Sequence, residues 1–194
     1  MADINSKMYK TDANVGRPFN RHGLDLGPDD DEMMAFAELL FFAYREFTGE
    51  PDSLLMEYGF GRAHHRVLHF VCRHPGLRVA DLLDILDITK QSLARVLKQL
   101  VDQGFVSQME GQRDRRERRL HLTDEGVDLA VKLSDFQRRR ISKALAELGP
   151  EGSDKVKKFL LCMVPDEERS RVLELISSHE LPDNWKKQEA EKTS

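Results

Sequence analysis

The sequence predicts a mainly α-helical chain with one small β-hairpin. Three observations carry that prediction. Leu93, Val96, Leu97 and Leu100 fall at i, i+3, i+4 and i+7, the buried stripe of a helix. Two strand-like runs, residues 105–110 and 118–122, border a cationic stretch, Arg113-Asp114-Arg115-Arg116-Glu117-Arg118-Arg119. The charge is also unevenly spread. The 194 residues carry 30 Lys/Arg against 34 Asp/Glu, a net −4, yet residues 89–122 hold eight Lys/Arg against four Asp/Glu. A cationic patch in an otherwise acidic chain is a place where phosphates can sit.

Taken in order, residues 1–29 are polar, Gly- and Pro-dotted and without period, which predicts a flexible arm. A helix is expected over 30–47. Met33, Ala37, Leu40, Tyr44 and Phe47 recur at helical spacing, and Met34, Leu39, Phe41, Phe42 and Ala43 widen the apolar surface beyond one stripe. Such a helix needs cover on more than one side, so it is expected to be shared between two subunits. Thr48-Gly49-Glu50-Pro51-Asp52 reads as a break, followed by a short helix through Leu54, Leu55 and Tyr58. A helix over 62–74 follows, with Val67, Leu68 and Val71 buried and Pro75-Gly76 as its stop. Residues 77–79 suit a short strand and 80–86 a compact helix.

Asp87-Ile88 leaves room only for a turn, and Thr89 is a good N-cap for the next helix, which Gly104 ends. That helix keeps Lys90, Gln91, Ser92, Arg95 and Lys98 off its buried side. After the hairpin, Thr123-Asp124-Glu125 starts a long helix to residue 148. Two shorter helices are marked by Val156, Phe159, Leu160 and Met163 and by Val172, Leu173 and Ile176, and the tail from 181 is charged. No apolar run approaches the roughly 18–20 residues of a membrane span, and residues 1–31 hold no signal-peptide core. A cytoplasmic location is expected, with Cys72 and Cys162 reduced.

The order helix, helix-turn-helix, basic hairpin, long helix resembles the MarR family of bacterial transcriptional regulators. The likeness rests on Arg66-Val67-Leu68, His74-Pro75-Gly76-Leu77 with Val79 and Leu82, Ile88-Thr89-Lys90-Gln91-Ser92-Leu93 with Arg95, Leu97 and Leu100, and Gly104-Phe105-Val106. It ends with Asp114-Arg115-Arg116, Leu120-His121-Leu122-Thr123 and Gly126. It covers residues 54–148 well, and 61–100 is most similar to the PetP-type branch. Asp87 departs from the glycine many relatives carry in the turn, but aspartate tolerates the left-handed conformation better than most residues. The C-terminal part, with two helices after residue 148, is also longer than usual.

The resemblance implies a winged helix-turn-helix core over 61–123, flanked by dimerisation helices over 30–60 and 124–180. It implies a homodimer on a palindromic double-stranded operator, modulated by a small effector or other signal, without cofactor, metal or membrane. Thr89, Lys90, Gln91, Ser92, Arg95 and Lys98 are the candidates for the major groove, since they offer donors and acceptors on one helix face. Arg113, Asp114, Arg115, Arg116 and Arg118 are the candidates for the wing. Arg116 holds the Asp-x-Arg arginine position and Asp114 shapes the tip; a narrow A·T minor groove favours an inserted guanidinium. Phe41, Tyr44, His64 and Phe70 are candidates for an effector pocket, although core packing explains all four equally well.

Blander readings compete at each point. Any surface helix has a polar face, and a charge run is usually solvated. His65, His69 and Cys72 at i, i+4, i+7 could hold a metal or sense redox state; packing is the simpler reading, with His64 along the buried face and Cys72 at its border. A winged helix can also serve protein contact alone. An enzyme is disfavoured: there is no phosphate-binding Gly-rich loop, nucleophile elbow or His-Glu-x-x-His run.

Overall fold

A computed structural model describes residues 28–111 and 117–178. The tail, nearly all of the N-terminal arm and the wing tip with Arg113, Asp114, Arg115 and Arg116 lie outside the described residues. The chain divides into a unit ending at Phe42 and a second from Ala43 onward. The described part of the first is helical and exposes Met33, Met34, Leu39, Phe41 and Phe42.

The predicted break at 48–52 is absent: α1 runs unbroken over Pro28–Met56 with Pro51 inside it. On either side of the proline, the Thr48 hydroxyl donates to the Tyr44 carbonyl at 3.0 Å and the Ser53 hydroxyl to that of Gly49 at 3.1 Å. Pro51 and Leu55 are themselves fully buried. A proline inside a helix costs about 3 kcal/mol, and burying two apolar side chains at roughly 1.5–3 kcal/mol each offsets it.

The second unit continues with α2 (Arg62–Arg73), β1 (Leu77–Arg78), α3 (Val79–Leu86) and α4 (Lys90–Asp102). The hairpin β2 (Val106–Glu110) and β3 (Arg118–Leu122) leads into α5 (Asp124–Leu148), α6 (Gly152–Cys162) and α7 (Asp166–Ser177). The expected mainly helical, small-wing architecture is therefore present. The three strands form an antiparallel sheet in the order β1-β3-β2, with Leu77 opposite Leu120 and Arg78 opposite Arg119. The core gathers Val67, Leu68, Leu82, Leu93, Leu100, Leu120, Leu129 and Leu133, all at most 2% exposed.

Two details set the angles of these elements. At the end of α4, Gly104 takes φ 79° and the Phe105 amide donates back to the Leu100 carbonyl at 2.9 Å, turning the chain into the hairpin. In the first turn of α5, Gly126 admits the backbone of Phe105: a Cβ there would lie 2.0 Å from the Phe105 carbonyl oxygen. Thr123 joins both, donating from its hydroxyl to the Gly104 carbonyl at 2.6 Å and accepting from the Gly126 amide at 3.1 Å.

Candidate nucleic-acid interface

The helix-turn-helix is α3 and α4 joined by Asp87, Ile88 and Thr89. Asp87 adopts the left-handed conformation, φ 47° and ψ 54°, that the tight turn requires. Thr89 caps α4 by accepting from the Ser92 amide at 3.2 Å, and its hydroxyl donates to Ser92 Oγ at 2.9 Å. Leu93, Val96, Leu97 and Leu100 are buried, while Thr89, Lys90, Gln91, Ser92, Arg95 and Lys98 are exposed. The six major-groove candidates thus line the outer side of one capped helix. Lys98 is ion-paired with Asp102, one turn on.

α4 is braced from behind. The Gly61 amide donates to His64 Nδ1 at 3.1 Å, His64 Nε2 lies 2.9 Å from Gln99 Oε1, and Gln99 Nε2 donates to the Gly59 carbonyl at 3.2 Å. Because Nδ1 accepts, the ring is neutral with its proton on Nε2. Burial holds the His64 pKa below its ordinary value, against the opposing hydrogen bond to Gln99.

At the loop end of the hairpin, beyond the last strand pair, the Gly111 amide donates to the Glu117 carbonyl at 3.1 Å. Arg118 reaches Glu110 across the strands at 3.6 Å. Glu117 spans two arginines, with Arg78 at 3.4 Å from one oxygen and Arg119 at 3.4 Å from the other. Arg78 also forks onto Asp81, at 2.5 and 2.8 Å. These bonds raise the Arg78 pKa and hold that of Asp81 below the usual carboxylate value.

Residues 58–117 match the model of the MarR family. Over 122 residues the chain is 48% identical to the HTH-type transcriptional regulator PetP of Rhodobacter capsulatus, spanning 63% of this chain and 74% of that protein. This chain belongs to the MarR family. In fold it is similar to S. aureus MepR in its DNA-binding conformation, with a TM-score of 0.59 at 18% identity, over 66% of this chain and 95% of that one. A MarR transcriptional regulator from Methanosarcina mazei Go1 aligns with a TM-score of 0.55 at 25% identity, over 69% and 88% of the two chains.

As a MarR-family chain, it was expected to hold an effector pocket lined by Phe41, Tyr44, His64 and Phe70, and the structure distributes these residues differently. Tyr44 and Phe70 share a cleft of about 190 Å³ with Phe47, His65, His69 and Gln137. His64 turns instead to Gln99 and stacks on Phe60 at 4.7 Å. Phe41 belongs to the other unit and is 74% exposed. The buried histidine is also His65, at 7% exposure, rather than the half-buried His64. Burial pushes the His69 pKa down to about 4 and the Cys72 thiol up to about 11. A thiol so held gives little thiolate, and among the described residues no three His, Cys, Asp or Glu side chains group as a metal site. The metal or redox alternative is therefore not favoured. Among the described residues no helix is long and apolar enough to cross a membrane.

Sequence reasoning missed Gln99, Arg78 and Glu117. Only Arg78 left a signal: it stands at the N-cap of α3, where Ser, Thr, Asp or Asn is the rule, and its side chain makes no cap bond.

Proposed function

We propose that this MarR-family chain is a transcriptional regulator that binds double-stranded DNA, with the N-terminal turns of α4 in the major groove and the wing in the adjacent minor groove. One observation carries the reading. Lys90, Gln91, Ser92 and Arg95 are exposed together on a helix that Thr89 caps and its own leucines anchor. This is the arrangement that direct readout needs. Gln91 suits an adenine edge, and Arg95 a guanine edge or a phosphate. The wing arginines Arg113, Arg115 and Arg116 extend the reading on sequence grounds. The family is one of regulators and not of enzymes.

One such helix spans only a few base pairs, so we propose a homodimer on a palindromic operator. Two sets of exposed apolar side chains support it: Met33, Met34, Leu39 and Phe41 on α1, and Phe159 and Leu160 on α6, Met163 at its C-cap and Ile176 on α7. The cleft of Tyr44, Phe47, His65, His69 and Phe70 is the proposed effector site. Its volume lies below the roughly 300 Å³ of drug-sized sites and suits a small ligand.

The deciding experiment is selection of bound duplexes from a random library by the full chain, followed by titration over salt. An enriched palindrome with salt-dependent affinity is expected. Salt-insensitive retention with no enriched sequence would leave a winged helix used for protein contact. Light scattering at micromolar concentration tests the dimer, which a monomer mass would sink.

A further inference from the structure

β1 and β3 place Arg78 directly opposite Arg119. Like charges in that position repel, since directly opposed side chains share one face of the sheet. The residue that reconciles them is Glu117, two positions before Arg119 at the entry to the wing's returning strand. Its carboxylate is split between them, one oxygen 3.4 Å from an Arg78 nitrogen and the other 3.4 Å from an Arg119 nitrogen. Arg78 is in turn fixed to the first turn of α3 by its fork onto Asp81. The chain of contacts therefore runs from the first helix of the helix-turn-helix, through one guanidinium, to the wing's returning strand.

We propose that Glu117 and Arg78 are positioning residues: Glu117 bridges two opposed arginines and so fixes the angle at which the wing meets DNA beside α4. The inference rests on the DNA-binding reading above. Arg78 occupies a helix N-cap without capping the helix, so its side chain is committed to this bridge. Each pair taken alone is a half-exposed surface contact, worth little. The bridge acts by cancelling a repulsion that would otherwise splay β1 from β3.

This assignment predicts a sign opposite to that of simple electrostatics. Removing a carboxylate beside phosphates should tighten DNA binding, because one like-charge repulsion disappears. If Glu117 sets the wing, removing its charge loosens binding instead. The test uses the full chain and the duplex selected by the wild type, with hydroxyl-radical footprints for the minor groove and guanine methylation for the major groove. E117Q keeps the shape of the side chain and loses the charge. We expect binding weaker by about threefold to tenfold, the scale of one lost positioning contact. Outer minor-groove protection should fade while major-groove protection persists. In an R78A background the repulsion is gone, so E117Q should cost almost nothing further. E117Q binding as tightly as the wild type or more tightly, both protections fading together, or an undiminished cost in the R78A background would each overturn the assignment. A wild-type chain that selects no duplex would overturn the DNA-binding reading, and this one with it.

Discussion

The bounds of α4 are set by signals close in sequence, although its brace on Gly59 and His64 is long-range. Thr89 caps it three residues from its partner, Gly104 turns it off, and its apolar stripe repeats at helical spacing. The seat of the wing on β1 and α3 is fixed by contacts far apart. Glu117 meets Arg78 across 39 positions, and the register that opposes Arg78 to Arg119 depends on a strand only two residues long. The first kind of order survives changes elsewhere because each signal acts within a turn or two. The second depends on the sheet being assembled first. A reader built from both has one rigid edge and one adjustable edge.

The largest expected effect breaks the rigid edge. Leu100 is fully buried on the inner face of α4, and Leu100→Ala should destabilise the fold by about 2–5 kcal/mol through lost burial and the cavity left behind. Denaturant unfolding measures it. A loss under about 1 kcal/mol, the scale of a surface substitution, would mean that α4 is not anchored by this stripe. Arg116→Ala acts on the other edge and should leave unfolding unchanged. It should weaken operator binding at fixed salt by at least about tenfold, as expected for a guanidinium removed from a narrow minor groove. Unchanged affinity in a mobility-shift titration would remove Arg116 from the interface.

The same contrast explains what could be read from the sequence. Helix α4, its cap, its stop and its outward polar face follow from spacing and residue type alone, and so does the hairpin that follows. The turn at Asp87 was legible from its length, and its left-handed conformation only through the resemblance, since many relatives carry glycine there. The continuity of α1 was not, since Pro51 is a breaker by every local rule and is overridden by its own burial beside Leu55. Nor was the exchange of roles between His64 and His65. The two are neighbours on α2, and the partners that hold His64 toward α4 include Gln99, 35 positions away. Glu117 reads as one acid in a basic run, and its task appears only once the strand register opposes the two arginines.

A smaller effect is expected at the cap. Thr89→Ala removes the acceptor of the Ser92 amide and should cost about 1 kcal/mol. That loss should appear in the melt and in amide exchange of the first turn of α4, with the hairpin amides unaffected. Equal loosening of the hairpin would show that the two edges are one cooperative unit, and would weaken the comparison drawn between them.

The smallest effect separates the edges by pH. His64 accepts from the Gly61 amide only while Nδ1 is unprotonated, whereas the Nε2 proton it shares with Gln99 on α4 is kept in either state. Burial holds its folded pKa below the ordinary histidine value, so the unfolded chain takes up the proton first. Stability from the neutral His64 ring is therefore fully present above about pH 6.5 and is lost as pH falls from there through the lower folded pKa. Asp81, which anchors the other edge, also has a lowered folded pKa, through its hydrogen bond with Arg78. For a carboxylate the same sign places the loss much lower, as pH falls through about 4. At pH 5 the bond from Gly61 to His64 should be weakened while the ion pairs of Arg78, Asp81 and Glu117 remain. Amide exchange of Gly61 and the first turn of α2, corrected for intrinsic rates, should rise between pH 7 and 5 relative to Gly111 and β3. His64→Gln should flatten that rise, because an amide does not titrate in this range. A rise of the same size at Gly111 would mean that pH acts through the whole domain and not through His64.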